Sequence, residues 1–272
     1  MSNNFYKYQA AGNDFILIDL QECSQYLSYI DAPFCEPAIK FCNRHYGIGS
    51  DGLIFINRIN STSVKMIFFN PDGTRDVCGN GMRSVAQHFC EKSNLLEGDI
   101  ITDASTHHFQ ITRQNLEKVL VKVQMPIPFK IINFQVPDKD GLKFFDIDYV
   151  DIGTSHAVLI LGSFSDDIVN NLGSYLEKHK IFPDSVTVNF VVINDKSNLQ
   201  IRFWERGVGE TLACGTGSCS SVWALRLRGL VDDEVIVHAF GGDLSVNYEA
   251  DMIMLESESS RVFSGSYNVT TD

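Results

Sequence analysis

Short apolar runs separated by turn chemistry recur along the chain, and only four stretches switch to a helical spacing. Residues 5–9 and 15–20 are aromatic and aliphatic runs on either side of Ala11-Gly-Asn-Asp14, which reads as a strand, a turn and a strand. Further strands are predicted over 53–56, 64–69, 100–103, 108–112 and 119–123 in the first half. The second half offers 144–152, 157–161, 186–193, 199–204, 235–239, 244–248 and 252–255, with Val262-Phe263 as the last. Asn115–Lys118 reads as a strand tip, and the polar tail 267–272 as a fraying end.

The first helix is expected near Glu36, between Pro33 and Pro37, running into 38–42. The second follows Cys78, where Met82, Val85, Ala86 and Phe89 repeat at helical spacing. A surface helix is expected over 168–178. The fourth, over 218–228, is apolar on most sides through Val222, Trp223, Ala224, Leu225 and Leu227, and should be enclosed. The fold class is therefore α+β. Met125-Pro-Ile-Pro128 disfavours a central strand, so the domain crossover is placed near 118–130.

Two stretches match each other. Asn70-Pro-Asp-Gly-Thr-Arg-Asp-Val-Cys-Gly-Asn-Gly81 and Glu205-Arg-Gly-Val-Gly-Glu-Thr-Leu-Ala-Cys-Gly-Thr-Gly217 both end in Cys-Gly-x-Gly and both open a predicted helix. Cys78 and Cys214 lie half the chain apart. This spacing predicts a duplicated fold with one thiol per repeat.

With 272 residues there is ample chain for one large or two ordinary domains. A net charge of -12, without a basic run, argues against nucleic acid as a partner. No stretch approaches a membrane span, so no membrane partner is expected. The seven cysteines are odd in number. The opening Met-Ser-Asn-Asn-Phe-Tyr-Lys lacks a basic stretch followed by an apolar one, so a reducing cytoplasm is the expected home. The loop Tyr46-Gly-Ile-Gly-Ser-Asp-Gly52 does not form a dinucleotide motif, and no Cys-x2-Cys or His-Glu-x-x-His supports a metal.

A cysteine at a helix N-terminus meets unpaired backbone N–H groups and the positive end of the helix dipole, and both favour the thiolate. The same N–H groups can seat a carboxylate or a developing oxyanion, and glycine lets a ligand approach closely. Two such units suit the inversion of a carbon centre: a thiolate removes a proton from one side and a thiol returns one from the other. His156 and Glu205 are candidate assistants, against the alternatives of a buried satisfied histidine and a structural Glu205–Arg206 ion pair. Arg206 could engage a substrate carboxylate. Cys23, Cys35, Cys42, Cys90 and Cys219 read as small apolar fillers.

These motifs resemble the diaminopimelate epimerases, cofactor-independent amino-acid epimerases. The resemblance rests on Ala11-Gly-Asn-Asp-Phe15, Arg44-His-Tyr-Gly-Ile-Gly49, Phe69-Asn-Pro-Asp-Gly73, Cys78-Gly-Asn-Gly81, Glu205-Arg-Gly-Val-Gly-Glu-Thr211 and Ala213-Cys-Gly-Thr-Gly217, in the family's order. It implies two similar domains, each a barrel-like, mostly antiparallel sheet around a central helix, with the active site between them. Their boundaries are placed at 1–118, completed by 263–272, and at 119–262. It implies Cys78 as the base toward the L centre and Cys214 toward the D centre, assisted by His156 and Glu205. Gly79, Asn80, Gly215 and Thr216 should hold the reacting carboxylate. Asn13, Asn70 and Arg206 match substrate-binding positions. No cofactor is expected, and a homodimer is held open as the assembly.

Two positions depart from the family pattern. Thr154 and Thr187 stand where asparagines usually contact the distal end of the substrate. A hydroxyl is shorter than a carboxamide and lacks its pair of donors. Asn189 is expected on the opposite strand face, unable to compensate. Diaminopimelate is therefore the leading substrate. A racemase of another amino acid such as histidine is the second reading, and a non-catalytic amino-acid binding protein the alternative of another class.

Overall fold

The computed structural model describes residues 4–114, 119–249 and 251–267. The expected tip at 115–118 and the tail at 268–272 lie outside them. The chain falls into two compact units, Met1–Val123 with Ser257–Asp272, and Gln124–Glu256. In chain order the first half contributes β1 (Asn4–Ala10), β2 (Asn13–Asp19), α1 (Glu36–Cys42), β3 (Gly52–Arg58), β4 (Ser63–Phe69), β5 (Arg75–Asp76), α2 (Gly79–Ser93), β6 (Glu97–Ile101), β7 (Thr106–Gln114) and β8 (Val119–Met125). There follow β9 (Lys130–Pro137), β10 (Phe144–Asp151), β11 (Ser155–Ile160), α3 (Asp166–Glu177), β12 (Thr187–Asp195), β13 (Asn198–Glu205) and β14 (Gly209–Thr211). α4 (Gly215–Leu227), β15 (Glu234–Ala239), β16 (Gly242–Glu249) and β17 (Met252–Ser266) complete the order.

One pairing plan is used twice. β1 and β2 are antiparallel, β2 and β3 parallel, and β3 and β4 antiparallel. β4 then pairs antiparallel with the short β5 and parallel with β6, and β6 to β8 form a meander. β10 to β17 repeat this order step by step: β10–β11 antiparallel, β11–β12 parallel, β12–β13 antiparallel, β13 with both β14 and β15, then β15 to β17. β9 flanks β10 as the C-terminal part of β17 flanks β1. β17 also pairs with β8, so β1, β2, β3, β4, β6, β7, β8 and β17 close into an eight-stranded barrel.

Each sheet encloses its own helix. α2 packs against β1, β2, β4, β6 and β7, and every residue from Asn80 to Cys90 is buried. Five of those positions carry buried polar side chains, Asn80, Arg83, Ser84, Gln87 and His88, which look for partners inside the protein. α4 packs against β10, β11, β12 and β16, and its apolar surround matches the reading of an enclosed helix. Outside the barrels sit α1, beside a core of Phe5, Ile16, Phe41, Phe55 and Phe69, and α3, beside one of Val136, Leu159, Val169, Phe182 and Phe190. α3 starts at Ser165, whose hydroxyl accepts from Ile168 N at 3.3 Å, a side-chain N-cap.

Candidate active site

In the first unit the approach to the helix is a built turn. Gly73 N donates to Asn70 O at 2.9 Å with Gly73 at φ +88°, a conformation that favours glycine. Asn70 Nδ2 donates to Thr74 Oγ1 at 3.1 Å, which fixes the carboxamide at the strand end. The chain pairs back along β4 as β5 and enters α2 with Cys78 as N-cap, extended at φ -123° and half-buried. Asn80, in the first turn, is 4% exposed. Its Nδ2 donates to Asn13 Oδ1, and its Oδ1 accepts from Arg83 Nη2 at 2.9 Å. Asn13 Nδ2 in turn donates to Asp51 Oδ2 at 3.3 Å. The structure thus gathers Asn13, Asn80 and the Cys78–Gly79 helix start.

Behind them stands an ionic brace. Arg44 donates to Asp14 at 2.6 and 3.2 Å and to Asp51 at 2.7 Å, and Lys7 pairs with Asp14 at 2.5 Å. Burial pushes the Asp14 carboxyl up, but the bonds from Arg44 and Lys7 outweigh it and hold it at about 2.

The second unit builds its cysteine differently. β13 ends at Glu205, whose Oε1 accepts from Thr211 Oγ1 at 2.5 Å across the β13–β14 hairpin. Arg202 grips Glu210 at 2.6 and 2.8 Å and locks β14 in place. Cys214 is the N-cap of α4, at φ -134° and 6% exposed. Its Sγ accepts from Gly217 N at 3.4 Å and lies 3.5 Å from Thr216 Oγ1. The sulfur therefore occupies the place a capping oxygen would take, in reach of first-turn donors.

His156, on β11, is 1% exposed. Nε2 lies 3.0 Å from Thr154 Oγ1 and Nδ1 3.4 Å from Asn189 Nδ2. Burial, with the nearby Arg206 charge, pushes its pKa down to about 4 although the Asn189 contact raises it, so the ring is neutral at neutral pH. Thr187 Oγ1 accepts from Arg206 N at 3.2 Å, and Arg206 Nη1 reaches Asp184 O at 3.3 Å from an exposed position. Both threonine hydroxyls at the departing positions are thus engaged by the protein's own site residues.

One expectation is overturned. Asn189 does not face away from Thr187: residues two apart on a strand share a face, and Asn189 points inward, bonded to Gly217 O and Ser221 Oγ at 3.1 Å each. Ser221, Thr211 and Asp51 join Asn189 as site residues that sequence reasoning missed. The period of two from Thr187 was the signal for Asn189. The other cysteines follow their reading: burial pushes the thiols of Cys23 and Cys90 up, that of Cys42 to about 11 and that of Cys35 to about 12, which suits packing and not proton transfer.

The family model described as diaminopimelate epimerase matches residues 5–126 and 148–262. The chain belongs to the diaminopimelate epimerase family. It is 34% identical to the diaminopimelate epimerase of Caldanaerobacter subterraneus subsp. tengcongensis, over 97% of this chain and 99% of that one. To that of Halothermothrix orenii it is 33% identical, over 97% and 98%. Among solved structures, a phenazine biosynthesis protein of the PhzF family from Bacillus anthracis superposes with a TM-score of 0.72 at 16% identity, covering 99% of this chain and 100% of that one. A hydroxyproline epimerase from Agrobacterium vitis does so with a TM-score of 0.67 at 13% identity, covering 97% and 89%. These two share the fold. As a member of the diaminopimelate epimerase family the protein is an isomerase acting on a small-molecule amino acid.

Proposed function

We propose that the protein converts LL-diaminopimelate to meso-diaminopimelate and back, with Cys78 and Cys214 as the two proton-transfer groups. The observation that carries the reading is the repetition: each unit sets one cysteine at the N-cap of its enclosed helix. The names of the full-length relatives supply the substrate. The Cys78 thiolate takes the α-proton of the L centre, and the bond pair stays on carbon, delocalised into the carboxylate. The Cys214 thiol then delivers its proton to the opposite face, leaving a thiolate there and inverting the centre. Backbone N–H groups of Gly79, Asn80, Gly215 and Thr216 hold the carboxylate as it gains charge. Glu205, braced by Thr211, and His156 set the polar surroundings of Cys214. Asn13, Asn70, Thr154, Thr187 and Arg206 bind the rest of the substrate. The reaction belongs to lysine and cell-wall precursor synthesis, the cytoplasm is the protein's proposed home, and a homodimer is its proposed assembly.

The test uses reduced protein in deuterated water with LL-diaminopimelate, meso-diaminopimelate and L-histidine, without pyridoxal phosphate. Inversion of LL-diaminopimelate with deuterium entering at the α-carbon is expected. Cys78→Ala and Cys214→Ala should each lower inversion by about a thousand-fold or more, the scale of a lost acid or base. Turnover of L-histidine alone would transfer the mechanism to another substrate. Exchange unaffected by both substitutions would remove the two-cysteine mechanism.

A further inference from the structure

The two cysteine helices stand on different floors. The parallel pair β2–β3 begins with Phe15 opposite Gly52, and β11–β12 begins with His156 opposite Thr187. Aligning the two registers puts Phe15 in the place of His156 and Ile54 in the place of Asn189. The glycines three residues beyond each cysteine agree independently. A Cβ on Gly81 would lie 3.0 Å from Ile54 Cδ1, and one on Gly217 would lie 2.9 Å from Asn189 Oδ1. The first unit therefore builds this layer from apolar side chains. The fold does not require a buried histidine and carboxamide there, yet the second unit has both, with Asn189 fully buried.

The network fixes which way the carboxamide points. Ser221 Oγ donates to Gly217 O at 2.8 Å, so both oxygens can only accept from Asn189, each at 3.1 Å. Nδ2 must therefore be the atom that faces them, and its second hydrogen is directed at His156 Nδ1. Asn189 Oδ1 makes no hydrogen bond among the described residues. The buried carboxamide is thus retained for its two donors. A neutral imidazole that accepts at Nδ1 carries its proton on Nε2, and Nε2 faces Thr154 Oγ1 at 3.0 Å.

We propose that Asn189 is a positioning residue that holds His156 in the Nε2–H tautomer, so that the Thr154 hydroxyl accepts from the ring and offers its own proton to a substrate acceptor. With the ring hydrogen on one of its two lone pairs, the Thr154 hydroxyl turns its own hydrogen toward the ligand. It selects a carboxylate and disfavours an ammonium, which the opposite tautomer would have favoured by making Thr154 donate to Nε2 and show ligands only its lone pairs. This assignment rests on the proposed reading of Thr154 as a substrate contact.

The experiment takes the full chain labelled with ¹⁵N-histidine, with His156→Gln supplying the assignment by difference. Wild-type His156 should show an unprotonated, pyridine-type Nδ1 and a protonated Nε2. In Asn189→Asp the carboxylate can only accept, so the proton should move to Nδ1, and the KM for LL-diaminopimelate should rise about ten-fold or more with a smaller change in kcat. Thr154→Val, which removes the hydroxyl while Asn189 still donates to Nδ1, should reproduce the rise in KM. A wild-type ring protonated on Nδ1 overturns the proposal whether or not the enzyme turns over diaminopimelate. A reversed tautomer in Asn189→Asp, or a missing hydroxyl in Thr154→Val, with KM unchanged within two-fold also overturns it. Failure of the wild type to invert diaminopimelate would sink the substrate reading and leave the tautomer to be decided by the spectrum.

Discussion

His156 is neutral because it is buried beside the Arg206 charge, with the Asn189 carboxamide and the Thr154 hydroxyl as its hydrogen-bond partners among the described residues. Its folded pKa, about 4, lies below the ordinary 6.5, so the unfolded chain binds a proton more readily than the folded one. The stability that the neutral ring contributes is fully present above pH 6.5 and is lost as the pH falls toward 4. Between pH 7 and 4.5 the loss from this residue should be about 2 kcal/mol. His156→Gln should be less stable than wild type at pH 7 but fall less steeply by that amount, which urea denaturation at the two pH values would read. Equal slopes would mean that the ring is already charged or solvated in the native state. At this scale the sequence placed the histidine but could not show its state, because that state depends on burial and on the Arg206 charge, which only the fold brings to it.

Element by element, the helices were readable from spacing and the strands from alternation, with two instructive failures. β9 follows the prolines at 126 and 128 and was not predicted, although Ile132, Phe134 and Val136 alternate with Asn133 and Gln135. The prolines end β8 without preventing a new strand two residues later. β17 was expected as two short pieces, yet it runs unbroken through Glu256-Ser-Glu-Ser-Ser260. Ser257 and Ser259 point inward, 3% and 0% exposed, and the glutamates point outward, so the period of two persists with small hydroxyls in place of apolar groups. α3 was read only as a surface helix, and its inner end carries a further consequence. Glu177 Oε2 accepts from Trp204 Nε1 and Oε1 from Gly207 N, both at 2.9 Å, tying the helix to the hairpin that presents Arg206. Glu177→Gln sets an amide N–H₂ against one of those donors, so the variant should lose about 1–3 kcal/mol of stability. Arg206 would then be held less firmly, and KM should rise more than kcat falls. Initial-rate kinetics and a red shift of Trp204 emission would check this, and unchanged kinetics would show that the hairpin holds its shape without α3.

Over the whole molecule the duplication was visible in the two Cys-Gly-x-Gly motifs, and the family resemblance implied that residues 263–272 complete the first unit, whereas the length of the strand that reaches them was not legible. Residues 252–256 of β17 pair with β16, and residues 260–266 of the same strand pair with β1. β1 is inserted between β2 and β17, so Phe5, Tyr6 and Tyr8, at 7%, 9% and 0% exposure, depend on the last part of the chain for cover. Phe263 meets Phe5 edge-on at 5.9 Å, and Arg261 pairs with Glu91 of α2 at 3.2 Å. Truncation after Glu256 would remove the outer ladder of β1, open the barrel and leave those aromatic side chains against water. At about 25 cal/mol per Å² of apolar surface, such exposure rivals the net stability of a domain. The truncated chain should therefore lose amide protection in β1, β2 and α2 in hydrogen exchange while β10 to β13 keep theirs, because none of their partners is removed. A peptide spanning 257–272, added in trans, should restore protection to β1 first. Protection of β1 equal to that of the intact chain, without the peptide, would show that β2 and α2 alone hold the first strand.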